Sequence, residues 1–375
     1  MLVFMLHGTV VSTYLSRLPE IQLSRGIQEA AYGLALAGIP VGVFSGSFIV
    51  GMLVERYGTR RMILFSHPFI AATPLLSMLA YGPGALFLAM FVFGLAMAAS
   101  NIAMNIEADR VEAATGRKII NKCHGAWGVG SLTFALLAPL FIKMGIGPLY
   151  HYIFTWCIVA LGTLFVVTGM QPSPPRQLNR ARSAKRVAMP NMGTFLVVAF
   201  ALTALWYEGV IRNWGVIYLR DEFGAAAWVA ALALPALLLM QTVMRLAADG
   251  LIDRHGEVLM GRVLVVIAGI GLLLLVTTNS IALALFAIVL IGLGTSTGWP
   301  QAVSAAARWG DRPSSENVAA FSILQTVVIF VAPPITGFLA SAMDLRMAMA
   351  MFLPVPIISF IFAKYLAPRD PEVST

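Results

Sequence analysis

A chain of 375 residues that is 59% hydrophobic and only 11% charged, with a mean hydropathy of +0.85, has too few polar groups to clothe a water-soluble globule and must be covered by lipid. The formal charge of +8 does not point to nucleic acid, because the basic residues fall in short loops between apolar runs, where they report membrane orientation. The two cysteines, Cys123 and Cys157, suggest neither a disulfide framework nor a metal site.

Met1 to Ser16 is apolar but supplies only about 24 Å of helix, where a bilayer core asks for roughly 20 residues. It reads as the remnant of a longer first span whose natural start lies upstream. No basic residue precedes it and Arg17-Leu18-Pro19-Glu20 follows, which is not the pattern of a cleaved signal peptide. Ala31 to Val54 forms the second span, with Gly38, Gly42 and Gly46 on one face, a spacing that lets a neighbouring backbone approach closely. Met62 to Ala80 and Ala85 to Ile106 are joined by Tyr81-Gly82-Pro83-Gly84, short enough only for a tight turn, so they run antiparallel. A charged connection, Glu107 to His124, leads to a fifth span over Gly125 to Phe141 and a sixth over Leu149 to Met170.

Gln171 to Asn191 is proline-rich and basic, with Arg176, Arg180, Arg182, Lys185 and Arg186 and no acid. Such a segment cannot bury enough apolar surface to fold alone and reads as a solvated linker. Six more spans follow, at Gly193 to Leu219, Ala227 to Ala248, Gly261 to Thr278, Ile281 to Ala305, Val318 to Ala342 and Met347 to Ala367. Loops alternate short and long in the same order on both sides of the linker, as expected of a duplicated unit. The expected architecture is therefore all-α, with twelve transmembrane helices in two pseudo-symmetric six-helix bundles, residues 1–170 and 193–375, joined by a linker at 171–192. Nineteen lysines and arginines fall in the even-numbered loops, the linker and the C-terminus and five on the other side, which puts both termini in the cytoplasm.

The strongest local motif is Gly51-Met52-Leu53-Val54-Glu55-Arg56-Tyr57-Gly58-Thr59-Arg60-Arg61, with a weaker copy 198 residues on at Asp249-Gly250-Leu251-Ile252-Asp253-Arg254-His255-Gly256. This resembles the loop signature of the major facilitator superfamily, with Glu55 in the acid slot and Thr59 where a basic residue is common. The resemblance implies that Gly51, Glu55, Arg56, Gly58, Arg60, Arg61, Asp253 and Arg254 form a conformational switch that stabilises the outward-facing state. Opposite charges at a helix terminus can pair and hold one arrangement until something competes; topology-setting charge is the plainer alternative. A narrower likeness runs through Ser100-Asn101-Ile102-Ala103-Met104-Asn105, Glu112, Gly116-Arg117, Cys123-His124-Gly125-Ala126-Trp127-Gly128 and Glu208-Gly209 with Trp214. It is similar to a bacterial inner-membrane subgroup that includes a rhizopine-associated membrane protein.

Function should lie where polar groups sit in lipid, since a charge at the bilayer centre costs about 2.5 to 3.5 kcal/mol on insertion scales. Glu208 lies over halfway along span seven with Arg212 one turn on, so the two share a face. They are candidates for proton coupling, as is His7, whose Gly8 neighbour mirrors Glu208-Gly209 in the other half; a structural ion pair and a packing histidine are the alternatives. Candidate substrate ligands are Asn101, Asn105, Trp127, Asn213, Trp214, Gln241, Trp299, Gln301 and Gln325, because amides and indoles offer hydrogen bonds to a hydroxylated solute without demanding charge. Interhelical bonding is the competing role for each. Spans six, nine and twelve are almost wholly apolar and are expected to face lipid.

No nucleotide-binding G-x-x-x-x-G-K-[ST] and no H-E-x-x-H occurs, so the chain does not read as a pump or an enzyme, and no cofactor or metal is implied. The expected function is proton-coupled secondary transport of a small polar solute by a monomer in the bilayer of a bacterial inner membrane. Efflux of drugs or metabolites by proton antiport is the alternative.

Overall fold

The computed structural model describes residues 1–117, 119–170 and 189–367; the expected linker lies almost wholly outside the described residues. The regular elements among those residues are helical, because a chain in lipid must satisfy its backbone within each segment. In order they are α1 (Leu2–Ser24), α2 (Glu29–Leu36), α3 (Gly38–Tyr57), α4 (Thr59–Ala72), α5 (Pro74–Met78), α6 (Pro83–Thr115), α7 (Ile120–Lys143) and α8 (Pro148–Gly169). The second half continues with α9 (Met192–Phe223), α10 (Ala227–Ala230), α11 (Ala233–His255), α12 (Glu257–Thr277), α13 (Ile281–Thr295), α14 (Gly298–Ala307), α15 (Ser314–Ala342), α16 (Leu345–Ala350) and α17 (Val355–Phe362).

Ten helical segments among the described residues are long and apolar enough to cross a membrane. The two remaining spans, α1 and α4 with α5, fall below that standard because polar residues dilute them, among them His7, Arg17 and Glu20 in the first and Arg60, Arg61, Ser66 and His67 in the second. Three expectations change. The first span does not stop at Ser16 but continues as one 23-residue helix through Pro19, since Arg17 stays inside the bundle, fully buried, with its Nη1 2.9 Å from Oε1 of Glu20. The third is broken at Thr73–Pro74 and the tenth at Ser296–Thr297. The sixth keeps the exposed apolar face expected of an outer helix, with Phe154, Leu161 and Phe165 on it, while burying His151, Tyr152, Thr155 and Thr163 on its inner side.

Contacts divide the chain into two compact units. The first comprises Met1–Gln177, Gly224–Pro235 and Pro333–Ala342. Its densest seam is between α3 and α6, and the expected small-residue spacing is what allows it. A Cβ on Gly38 would stand 2.5 Å from the Phe87 carbonyl oxygen, one on Gly46 2.8 Å from Ala98 Cβ, and one on Gly42 would run into the Phe91 carbonyl. Helix α1 lies at the centre of this unit. Three successive residues on it bond to three different helices: Ser12 to Ser131 on α7 at 2.5 Å, Thr13 to Thr155 on α8 at 3.2 Å, and Tyr14 to Ser77 on α5 at 2.6 Å. Successive residues point about 100° apart, so α1 is enclosed on several sides and has no lipid face along this stretch.

The second unit comprises Leu178–Phe223, Ala236–Ala332 and Met343–Thr375. Helix α9 is its core element, packing against α13, α14 and α17. Thr203 donates to Ser359 Oγ at 2.8 Å and Tyr207 to the Phe352 carbonyl at 2.9 Å, both buried.

The duplication is visible in the backbone. Gly58 has φ +77° and Gly256 φ +82°, and Gly26 and Gly224 have φ +59° and +58°; each pair is 198 residues apart. Helices α3 and α11 thus end, and α4 and α12 begin, on the same left-handed joint.

Candidate functional site

Helix α9 places Glu208 and Arg212 on one face because i and i+4 are neighbours on a helix. Arg212 Nε donates to Glu208 Oε1 at 2.8 Å and its Nη2 lies 2.6 Å from the same oxygen. From α11, Gln241 Nε2 donates to Glu208 Oε2 at 2.8 Å and to Thr295 Oγ1 on α13 at 3.2 Å, while Gln241 Oε1 accepts from Arg212 Nη2 at 3.3 Å. Carboxylate, guanidinium and amide thus form a closed ring of three, tied to a third helix through Thr295. One turn along α11 from Gln241, Arg245 Nε donates to the Ser296 carbonyl at 2.9 Å, where the break between α13 and α14 frees that oxygen. Gln241 is 1% exposed and both ends of its amide are engaged, so it holds the charged pair.

The other candidates of this unit lie in three settings. Asn213 donates to the Gly209 carbonyl at 2.7 Å, and Trp214 is fully buried. Trp299 on α14 is half-exposed and its indole donates to Gln325 Oε1 on α15. Gln301 is buried; its Nε2 donates to Thr297 Oγ1 at 3.2 Å, and its Oε1 accepts no hydrogen bond among the described residues.

In the first unit, Asn105 Nδ2 on α6 donates to Asn101 Oδ1 at 2.6 Å and to its carbonyl at 2.9 Å. Trp127 Nε1 on α7 donates to His7 Nδ1 at 3.0 Å. The accepting Nδ1 assigns the proton of a neutral His7 to Nε2, which is buried without a partner among the described residues. His67 on α4, not singled out from the sequence, stands edge-on to His7 with ring centroids 6.1 Å apart, and both rings are buried. Its signal was available: a histidine deep in an apolar span is a functional candidate by default.

The switch-loop residues do not gather into one network. Gly51, Glu55, Arg56, Arg60 and Arg61 are exposed, as are Asp253 and Arg254, and Arg60 Nε donates to the Val167 carbonyl at 3.1 Å. The bonded residue is Thr59, which donates to Glu107 and accepts from Arg110 Nη1 at 2.8 Å. Arg308 repeats this contact 198 residues later, its Nη1 donating to Glu257 Oε1 at 2.8 Å. Hydrogen bonding to that carboxylate raises the Arg308 guanidinium above its ordinary pKa.

Comparison with known proteins completes the description. The family model for the Major Facilitator Superfamily matches residues 1–308 and 196–375. An uncharacterized transporter, y4wD, of Sinorhizobium fredii is 28% identical over 92% of this chain and 91% of its own length. The membrane protein MosC of Rhizobium meliloti is 23% identical over 95% and 86%. Among solved structures, the nucleoside transporter NupG aligns with a TM-score of 0.76 at 13% identity, covering 98% of each chain. The fucose:proton symporter FucP of E. coli aligns with a TM-score of 0.62 at 15% identity, again covering 98% of each.

Proposed function

Since the chain belongs to the Major Facilitator Superfamily, we propose that it is a secondary active transporter that moves a small polar solute, sugar- or polyol-like, by alternating access and is driven by protons taken up at Glu208. One observation carries this reading. A carboxylate far along a membrane span is held by a guanidinium at 2.6 Å and an amide at 2.8 Å, a costly group to keep in lipid.

The ring supplies a coupling mechanism. A proton arriving on Glu208 removes the charge that Arg212 pairs with, and a cation left without its counter-charge in a low-dielectric site is strongly destabilised. Arg212 and Gln241 must then find new partners, which biases the bundle toward another arrangement. Moving one charge through 100 mV yields about 2.3 kcal/mol, so one coupled proton sustains roughly a fortyfold solute gradient. His7 is the second proton-handling group.

The proposed solute ligands are amides and indoles, taken within each half by itself: Asn101, Asn105 and Trp127 in the first, and Asn213, Trp214, Trp299, Gln301 and Gln325 in the second. Two neighbours of the same fold are named for a nucleoside and for fucose with a proton, which is the class of cargo proposed. The loop around Glu55 and Gly58, with its copy at Asp253 and Arg254, acts as the switch. The protein works as a monomer in a bacterial inner membrane, with both termini in the cytoplasm.

Proteoliposomes test the reading. A thermal-shift screen of sugars, polyols, organic acids and drugs selects solutes, and uptake of the best one is measured with and without an imposed proton gradient. Gradient-driven accumulation of a hydroxylated solute is expected. Stabilisation by amphipathic drugs alone, or uptake indifferent to the gradient, would overturn it.

A further inference from the structure

Within the first unit an apolar groove of about 460 Å³ opens between α3, α4 and α6, lined among others by Ile49, Leu53, Phe65, Phe69 and Ala99. Its aromatic wall is open: Phe65 is 70% exposed and Phe69 53%. We propose that this groove binds an anionic glycerophospholipid of the surrounding bilayer, one acyl chain lying in the groove and the phosphate diester held between Arg56 and Arg61.

Helical register makes the argument. On α3, Ile49, Leu53 and Arg56 are spaced i, i+4, i+7; on α4, Arg61, Phe65 and Phe69 are spaced i, i+4, i+8. Side chains at those intervals share a face. Each wall of the groove therefore runs into an exposed arginine at the end beside the Gly58 joint, where α3 and α4 meet. Arg56 lies over the Tyr57 ring at 5.4 Å, and neither arginine is ion-paired to a carboxylate among the described residues.

Two carboxylates lie near the joint, and neither is paired with these arginines among the described residues: Glu107 of α6 is taken by Thr59 and Arg110. Glu55 is two residues from Leu53, about 200° round the helix, and so lies on the far side of α3 from the groove. Arg60 is likewise turned toward α8, where it donates to the Val167 carbonyl. What remains at the mouth is a two-arginine clamp above a hydrocarbon slot, the chemistry of a phosphate head with an apolar tail. Phosphatidylcholine offers the same tail, but its choline cancels the attraction. Two switch-loop arginines thereby become lipid ligands, and the lipid bears on the loop that joins α3 and α4.

The full-length protein, delipidated in detergent, is titrated with dioleoyl phosphatidylglycerol or dioleoyl phosphatidylcholine, and bound lipid is counted by native mass spectrometry. Phosphatidylglycerol is expected to be retained about tenfold better than phosphatidylcholine, and Arg56→Gln with Arg61→Gln to bring the ratio near one. Ala99→Phe, which fills the groove at tail depth, should lower retention of both lipids. Should the variants fail to fold, a photoactivatable acyl-chain phosphatidylglycerol bound to the wild-type protein should label Leu53, Phe65 or Phe69. Equal retention of the two lipids, a preference that survives the double substitution, or labelling confined to other helices would overturn the proposal. Displacement of the lipid by millimolar inorganic phosphate would overturn it too, by showing a site for free anions.

Discussion

Gln241 donates to Glu208 across 33 residues of sequence, Nε2 to Oε2 at 2.8 Å, and with the same nitrogen reaches Thr295. The carboxylate is thereby fixed between two helices, and its charge is answered from one side by Arg212 and from the other by an amide. Replacing Gln241 by Leu removes a hydrogen bond to a charged group, worth about 1.5 to 3 kcal/mol. The expected loss of unfolding stability in detergent is of that size, with gradient-driven uptake reduced more than equilibrium exchange. Undiminished stability would mean that Gln241 is not a member of the ring.

Glu208→Gln keeps the shape of the side chain and removes its titration. Gradient-driven uptake in proteoliposomes should fall at least tenfold, by about 1.4 kcal/mol or more, while solute counterflow, which needs no net proton movement, persists. An unchanged pH profile would take Glu208 out of the coupling step.

Arg212→Gln alone leaves a carboxylate without its counter-charge and is the more damaging change. Breaking a buried pair costs about 3 to 5 kcal/mol, and since 24% of the Glu208 side chain is exposed the lower end is expected. The double change Glu208→Gln with Arg212→Gln should recover most of that loss. Additive losses in the double-mutant cycle would show that the two side chains do not interact.

The two arginine contacts 198 residues apart differ in their partners. Arg110 meets the hydroxyl of Thr59 and, 3.6 Å away, the carboxylate of Glu107 in a mostly buried pair, whereas Arg308 meets the carboxylate of Glu257 in a more exposed one. Arg308→Gln should cost about 0.5 to 1 kcal/mol, as for an exposed ion pair, with the difference shrinking in high salt. Arg110→Gln should show a weaker salt dependence. Melting curves at low and high ionic strength separate the two.

Glycine spacing makes its own forecast. Gly42→Ala pushes a methyl group into the Phe91 carbonyl, and overpacking of that kind costs about 1 to 3 kcal/mol. A methyl group on Gly51 meets nothing within 4 Å, so Gly51→Ala should leave stability unchanged or slightly raised. Equal effects at the two positions would refute the close approach of α3 and α6.

Much of the architecture was legible before any coordinates. Apolar length marks a span, and the i, i+4 spacing of Glu208 with Arg212 foretold the pair that forms. What failed was the judgement of whether a polar side chain at the end of a span or inside it points into the protein. A span enclosed by protein and lipid is apolar nearly all round, so it has no amphipathic stripe to betray its inner face. Arg17 was therefore counted as a loop charge although it is fully buried, and His67 and His151 passed unnoticed inside apolar runs. Nor could spacing reveal that Gln241 meets Glu208, since partners on different helices have no periodicity in common.

The left-handed joints at Gly58 and Gly256 bear on the history of the chain. Side chains around them differ, with Thr59 in the first half where the second has Glu257, yet the backbone sign does not, because any residue with a Cβ is disfavoured there. Stereochemistry has outlived chemistry. An alignment of one half on the other is best pinned at these hinges of fixed handedness, and residues equidistant from them are the natural starting points for asking how two descendants of one ancestral unit came to do different work.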